Sequence, residues 1–164
     1  MAISLLKAIV QVLNSINPSG RASIVLSGAA GVCIIPVVPA DLPKVSSPQN
    51  NETFSSVLGD LRIIGTMGLR TVTLESIAPR TSDKYPWSNP AGASGKQLVN
   101  YLRNAQMTYQ PLRLSIFYAN GSIYLSMLCL VDNFEFYADN VKDFHYSVTF
   151  TEYRSVNNEG MLMS

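Results

Sequence analysis

Residues 112–131 read LRLSIFYANGSIYLSMLCLV, and the reading of this stretch decides the fold class. Asn120-Gly121 separates two apolar runs, and Asn-Gly between alternating strands is the strongest short-range hairpin signal. A two-residue loop of type I′ needs positive φ at both positions, which these two residues tolerate. Such a loop pairs Tyr118 with Ile123, Ile116 with Leu125 and Leu114 with Met127 on one face, all apolar. The other face then pairs Phe117 with Tyr124 and Ser115 with Ser126. Two strands follow, Leu112 to Ala119 and Ser122 to Val131.

Working towards the C-terminus, Phe144, Tyr146, Val148 and Phe150 alternate with His145, Ser147, Thr149 and Thr151. Period-two alternation predicts a last, half-buried strand. Residues 157–164 read as a polar tail. Upstream of the hairpin, Ser94 with Gln97 three residues on matches a capping box. Leu98, Leu102 and Ala105 give the helix that follows an apolar side. Before it, Ala78 to Ala93 is a long loop holding Pro79, Pro86 and Pro90 around Tyr85-Pro86-Trp87. Trp87 is the single tryptophan; it either anchors the loop on the core or contacts a partner.

Further upstream, Leu61 to Ile64 and Leu69 to Ile77 are strand candidates, the second with Thr71, Thr73 and Glu75 opposite Val72, Leu74 and Ser76. Arg21 to Ser27 and Val32 to Val38 flank Gly28-Ala29-Ala30-Gly31 as two strands and a turn. Pro36, Pro39, Pro43 and Pro48 punctuate an extended segment, since proline this dense forbids helix. At the N-terminus, Leu5, Leu6, Ile9, Val12, Leu13 and Ile16 fall on one helical stripe, which Asn17-Pro18-Ser19-Gly20 ends. That stripe docks either on its own domain or on a neighbouring subunit; a membrane-surface helix lacks its Lys/Arg cluster here. The organisation expected is a helical extension over 1–20, a β domain over 21–156 and a tail over 157–164.

Composition narrows the function classes. The 164 residues are 47% hydrophobic and 14% charged, with net charge +1. A typical soluble domain is about 25% charged. Ser, Thr and Asn outnumber the charged residues, so much of the polar surface is neutral. Disorder needs the opposite balance, and specific nucleic-acid binding needs clustered Lys and Arg. No run reaches the roughly 20 apolar residues of a membrane span, and the N-terminus fits a signal peptide poorly. Cys33 and Cys129 sit in apolar runs and read as two buried free thiols of a reducing compartment. The one histidine, His145, has Asp143 two residues away and Glu152 further along, but no nucleophile in a recognisable motif. Gly95-Lys96 lacks the rest of a phosphate loop, no Cys/His cluster has zinc spacing, and Asp132, Glu135 and Asp139 read as solvated carboxylates. The expectation is a protein that is not an enzyme and has no cofactor or metal.

Several segments together resemble a known family. They are Leu61-Arg62-Ile63-Ile64-Gly65, then Gly68 to Pro79 (GLRTVTLESIAP), Tyr85-Pro86-Trp87, Leu98-Val99-Asn100-Tyr101-Leu102, Pro111 to Ile116, and Asp143 to Arg154 (DFHYSVTFTEYR). In this order, from about Ile34 to Arg154, they resemble the N-terminal domain of LysM-bearing baseplate proteins of contractile phage tails, defective prophages and phage-tail-like bacteriocins. The resemblance implies a mainly β fold with a flanking helix (α+β): a tail-tube-like antiparallel sandwich or barrel. It also implies a homomeric ring, six-fold, at the baseplate end of the inner tube, joining tube protein to hub and spike proteins and initiating tube assembly. Assembly would take place in the bacterial cytoplasm. The sequence departs from the family in carrying no LysM module and in its N-terminal helix, so peptidoglycan binding is not carried over.

A ring protein needs surfaces that can be buried without stranding charge, because unpaired buried charge is costly. Asp41 to Leu58, extended and without a core pattern of its own, is the candidate arm to a neighbouring subunit. The candidate subunit-interface residues are Leu5, Ile9, Leu13, Phe54, Val57, Leu58, Tyr85 and Trp87. Two other readings stand beside this one: a major tube or tube-terminator protein, and a carbohydrate- or ligand-binding β-sandwich with Tyr85 and Trp87 as a stacking platform.

Overall fold

The computed structural model describes residues 21–156 apart from Ser82, Trp87 and Pro90, together with Leu162 and Met163. The expected 1–20 helix and most of the tail lie outside the described residues. The rest is mainly β with one helix, as anticipated. Chain order is β1 (Ser23–Gly28), β2 (Gly31–Ile34), β3 (Val45–Ser46), β4 (Glu52–Ser56), β5 (Gly59–Ile63), β6 (Thr71–Ala78), α1 (Gly95–Thr108), β7 (Leu112–Phe117), β8 (Ile123–Ala138), β9 (Phe144–Glu152), β10 (Ser155–Val156) and β11 (Leu162–Met163). One antiparallel sheet has the order β2-β1-β7-β8-β9-β6-β3; β4 with β5 and β10 with β11 form separate two-stranded ribbons.

The β7–β8 hairpin forms with the expected register from Ile116–Leu125 through Leu114–Met127 to Leu112–Cys129. Its turn differs. Only Gly121 takes positive φ (86°), and Asn120 does not, so the turn is not type I′. The Asn120 carboxamide oxygen accepts the Ser122 N–H (2.9 Å) and hydroxyl (2.6 Å), an Asx arrangement that holds Asn120 in ordinary backbone. The loop is therefore longer: Gly121 N–H donates to Tyr118 O, and Tyr118 N–H to Ser122 O. Phe117 now pairs with Ile123, and Tyr124 is the extra residue. Its ring meets Tyr118 edge-on, and its hydroxyl donates to Pro43 O at 3.1 Å. Tyr118 and Ile123, expected on the apolar face, are exposed.

The next strand is longer than its sequence reading. β8 continues past a bulge at Asp132 and pairs with β9 as far as Ala138–Phe144. Sequence alternation ended at Val131 because the bulge resets the period-two pattern. The β6–β9–β8 register puts Val72, Phe150 and Val131 in one row and Leu74, Val148 and Phe134 in the next, all facing the core. Thr73, Thr149 and Asn133 form a row on the opposite, polar face. β1 and β7 are buried on both faces, with Val25 and Phe117 buried as well as Ile24 and Ile116.

The sheet curls. Ile35 N–H donates to Ile24 O in β1, and two residues later Val37 O accepts the Ser76 hydroxyl from β6. Two extended residues cover about 7 Å, too little for the roughly 19 Å that four strand spacings take in a flat sheet. The Pro-rich strap thus closes the sheet rather than extending β2, which stops at Ile34 instead of Val38. Val38, Leu42 and Val45 pack on the core as the strap crosses it. α1 caps the same core with Leu98, Leu102 and Ala105. Its capping box is present as predicted, and Tyr101 donates to Gly31 O at 2.9 Å. Gly95 must lack a side chain, since a Cβ there would lie 2.7 Å from both Ala78 O and the Phe144 ring. Both cysteines are free and buried, and burial pushes each thiol up to about 12.

Phe150 is fully buried at the centre of this core. Phe150→Ala is expected to lower unfolding free energy by about 3–5 kcal/mol, measured by denaturant unfolding with the slope unchanged.

Candidate interface: the β4–β5 arm and its root

β4 and β5 form a hairpin apart from the main sheet, with Glu52 opposite Ile63, Phe54 opposite Leu61 and Ser56 opposite Gly59. Alternation gives it two unlike faces. Thr53 with Arg62 and Ser55 with Asp60 make the polar one. There Arg62 donates to the Thr53 hydroxyl (3.2 Å) and Ser55 to the Asp60 carboxylate (2.7 Å). Phe54, Leu61 and Ile63, each about half exposed, make the centre of the other, with Glu52 at its base and Ser56 at its turn end. At the tip, Val57 and Leu58 are fully exposed, 104% and 95%. The turn is held by Ser56, whose hydroxyl donates to Gly59 O and accepts the Leu58 N–H, while Gly59 takes φ 113°.

The root is tightly tied. Gln49 bridges to Met67, Asn50 N–H donates to Thr66 O (2.9 Å), and Gly68 N–H donates to Pro48 O (2.8 Å). Gly65 N–H donates to the Asn51 side chain at 2.8 Å. A Cβ on Gly65 would sit 1.5 Å from Asn50 O, so only glycine lets the two strands of the root approach this closely.

Below the root lies a buried carboxylate. Glu152 Oε1 accepts Arg70 Nη2 at 2.9 Å, and Oε2 accepts the Arg70 backbone N–H at 3.1 Å and Arg154 Nη2 at 3.2 Å. Arg154 also donates to Met67 O and Gly68 O, both at 3.3 Å. One side chain at the end of β9 thereby fastens both the start of β6 and the base of the arm. The Arg70 hydrogen bond is the main reason that the Glu152 carboxyl is held down at about 2; burial opposes it and is outweighed.

A similar device sits at the other end of β9. Asp143, 2% exposed, accepts the Arg80 N–H (2.9 Å), Lys84 Nζ (2.8 Å) and the Tyr85 hydroxyl (2.5 Å). Burial alone would raise its carboxyl, but these donors outweigh it and hold it below its ordinary range. They pin the 79–93 loop to the sheet.

The sequence-predicted interface residues divide accordingly. Phe54, Val57 and Leu58 come together on the arm. Tyr85 is half-buried and bound to Asp143. Leu5, Ile9, Leu13 and Trp87 lie outside the described residues. The proposed arm range needs correction: residues 41–46 belong to the strap and β3, and only the Glu52–Ile63 hairpin projects. Leu61 and Ile63, strand candidates by sequence, share the face of Phe54 in this separate ribbon and not in the main sheet. Ser56 to Gly59, two polar-or-glycine positions around Val-Leu, was the available turn signal.

His145 meets Asp139 at 3.1 Å and stacks on Tyr137 at 4.9 Å; its carboxylate is not Asp143, which faces Lys84, nor Glu152, which lies at the far end of β9. Among the described residues, no group of His, Cys, Asp and Glu could hold a metal ion, and no helix is long and apolar enough to cross a membrane. Compared with known proteins, the chain matches no family model and no curated sequence.

Glu152 has a depressed carboxyl, so its contribution to stability is complete above about pH 4.5 and is lost as pH falls towards 2. Glu152→Gln is expected to cost about 2 kcal/mol at pH 7. It should also flatten the fall in thermal midpoint between pH 4.5 and 2.5, measured by circular dichroism.

Proposed function

We propose that this protein is a structural ring component of a contractile tail or tail-like injection particle. It sits at the baseplate end of the inner tube, joins tube to hub and spike, and starts tube assembly. The observation that carries this reading is the arm. A two-stranded ribbon is marginal alone in water, yet this one is tightly rooted and keeps Phe54, Leu61 and Ile63 half exposed and Val57 and Leu58 fully exposed. Exposed apolar surface of that kind marks an interaction site. Covering Phe54, Val57, Leu58, Leu61 and Ile63 is worth on the order of 5 kcal/mol before the entropy of association is subtracted. In a closed ring that contact repeats at every subunit.

The ordered set of segments behind the family resemblance supports the same reading. Leu61 to Gly65 forms the arm's second strand and root, Gly68 to Arg70 its base, and Glu152 with Arg154 the clasp beneath it. The low charge fits as well, since neutral Ser, Thr and Asn can be buried between subunits more cheaply than ions.

Val57→Asp with Leu58→Asp places charge at two exposed positions, so the monomer's unfolding free energy, from denaturant unfolding, should stay within about 0.5 kcal/mol of wild type. The same change should abolish rings. Native mass spectrometry reads both forms, with six copies expected for the wild-type ring. A wild-type chain that stays monomeric alone and with its baseplate neighbours would overturn the proposal.

A further inference from the structure

We infer that the arm of one copy seats its tip in the groove beside the C-terminal turn of α1 on the next copy. The inference rests on the ring reading above and names the surface that receives the arm. The groove has a volume of about 540 Å³ and runs between Met107 and Tyr109 on one side and Leu130, Val131 and Asp132 of β8 on the other. Its rim carries two large exposed side chains, Met107 at 72% and Tyr109 at 84%.

Tyr109 is the informative residue. It is the C-cap of α1 and takes left-handed backbone, φ 55°, to donate its N–H to Ala105 O. Glycine is the ordinary occupant of such a position, because any Cβ crowds the following carbonyl there. Here the position carries a tyrosine whose ring lies in solvent, so the strain is repaid by little burial within the subunit. Backbone strain kept at an exposed aromatic points to a contact made outside the fold. Tyrosine and methionine suit that contact: the first is a rigid anchor, the second adapts to an irregular apolar partner.

The partner is a second copy because donor and acceptor match in height and chemistry. The arm returns to the sheet at the start of β6, where Thr71 pairs with Thr151 and Thr151 with Leu130, a wall of the groove. β7 leaves α1 at the same end, with Leu112 opposite Cys129. Arm root and groove thus lie at one level along the strands. Copies in one orientation about an axis parallel to the strands can pass an arm to the next groove at that level, a head-to-tail contact that closes into a ring. The tip offers Val57 and Leu58 to Met107 and Tyr109. The arm's polar face carries Arg62, which on this docking meets Asp132 at the groove's rim, where that carboxylate also accepts the Thr151 hydroxyl.

Cysteine pairing tests this directly. The two native thiols are buried and stay silent. The double variant Leu58→Cys/Met107→Cys, mildly oxidised, should give a ladder of covalent oligomers up to ring size on a non-reducing gel. Either single variant should give dimers at most. Rings seen by electron microscopy without the ladder would overturn the acceptor assignment and leave the ring reading standing. A monomer at every concentration would overturn both. Tyr109→Gly supplies the second readout: a higher thermal midpoint, from relief of the left-handed tyrosine, together with ring assembly weakened at least tenfold. Unchanged assembly in that variant would also overturn the inference, and its raised midpoint excludes misfolding as the cause of a loss.

Discussion

A carboxylate taken out of water must find donors, and Glu152 finds three on two arginines. Its burial would be strongly destabilising if either guanidinium were missing, because charge-assisted hydrogen bonds are what offset desolvation. That constraint dictates position. Arg70 has to stand at the start of β6, and Arg154 has to fold back over the end of β9. Arg154 in turn ties down the Met67 and Gly68 carbonyls. The arm leaves the molecule directly above this clasp, so its direction follows from where one glutamate can be buried.

Asp143 repeats the solution at the opposite end of β9 with Lys84, Tyr85 and the Arg80 N–H. β9 therefore carries an acidic clasp at each end and an apolar face between them. One clasp holds the long loop, the other the arm. Between the two, the curled sheet is closed by a strap whose prolines keep it extended across the core and by α1 lying on the same side.

The polar face of β6, β9 and β8 explains much of the missing charge. Its rows run Thr71 with Thr151, Thr73 with Thr149 and Asn133, and Glu75 with Ser147 and Glu135. Thr73 and Thr149 approach each other through their hydroxyls at 3.4 Å. Hydroxyls and an amide fill the Thr71 and Thr73 rows, so much of this face is hydrophilic without ions, and its carboxylates Glu75 and Glu135 flank Ser147. The arm is its counterpart: Phe54, Leu61 and Ile63 give one face an apolar centre, flanked by Glu52 at the base and Ser56 at the turn, suited to burial against another chain.

Local chemistry made several elements legible in the sequence alone. The Asn-Gly hairpin, the capping box at Ser94 and the alternation of β6 and β9 depend on neighbours a few residues apart, and each forms where the pattern put it. The two buried thiols follow from their apolar runs for the same reason. What the sequence could not show depends on distant partners. The bulge at Asp132 is set by pairing with β9, so β8 runs past the point where alternation fails. Leu61 and Ile63 look like core strand residues, and only the absence of a sheet neighbour turns them outwards onto the arm. Glu152 is in sequence only a carboxylate further along the strand from His145, and its role appears when Arg70, 82 residues earlier, is brought beside it. Periodicity records which side of an element is apolar; what covers that side, and which charge stands opposite a buried carboxylate, is decided by packing between segments remote in the chain.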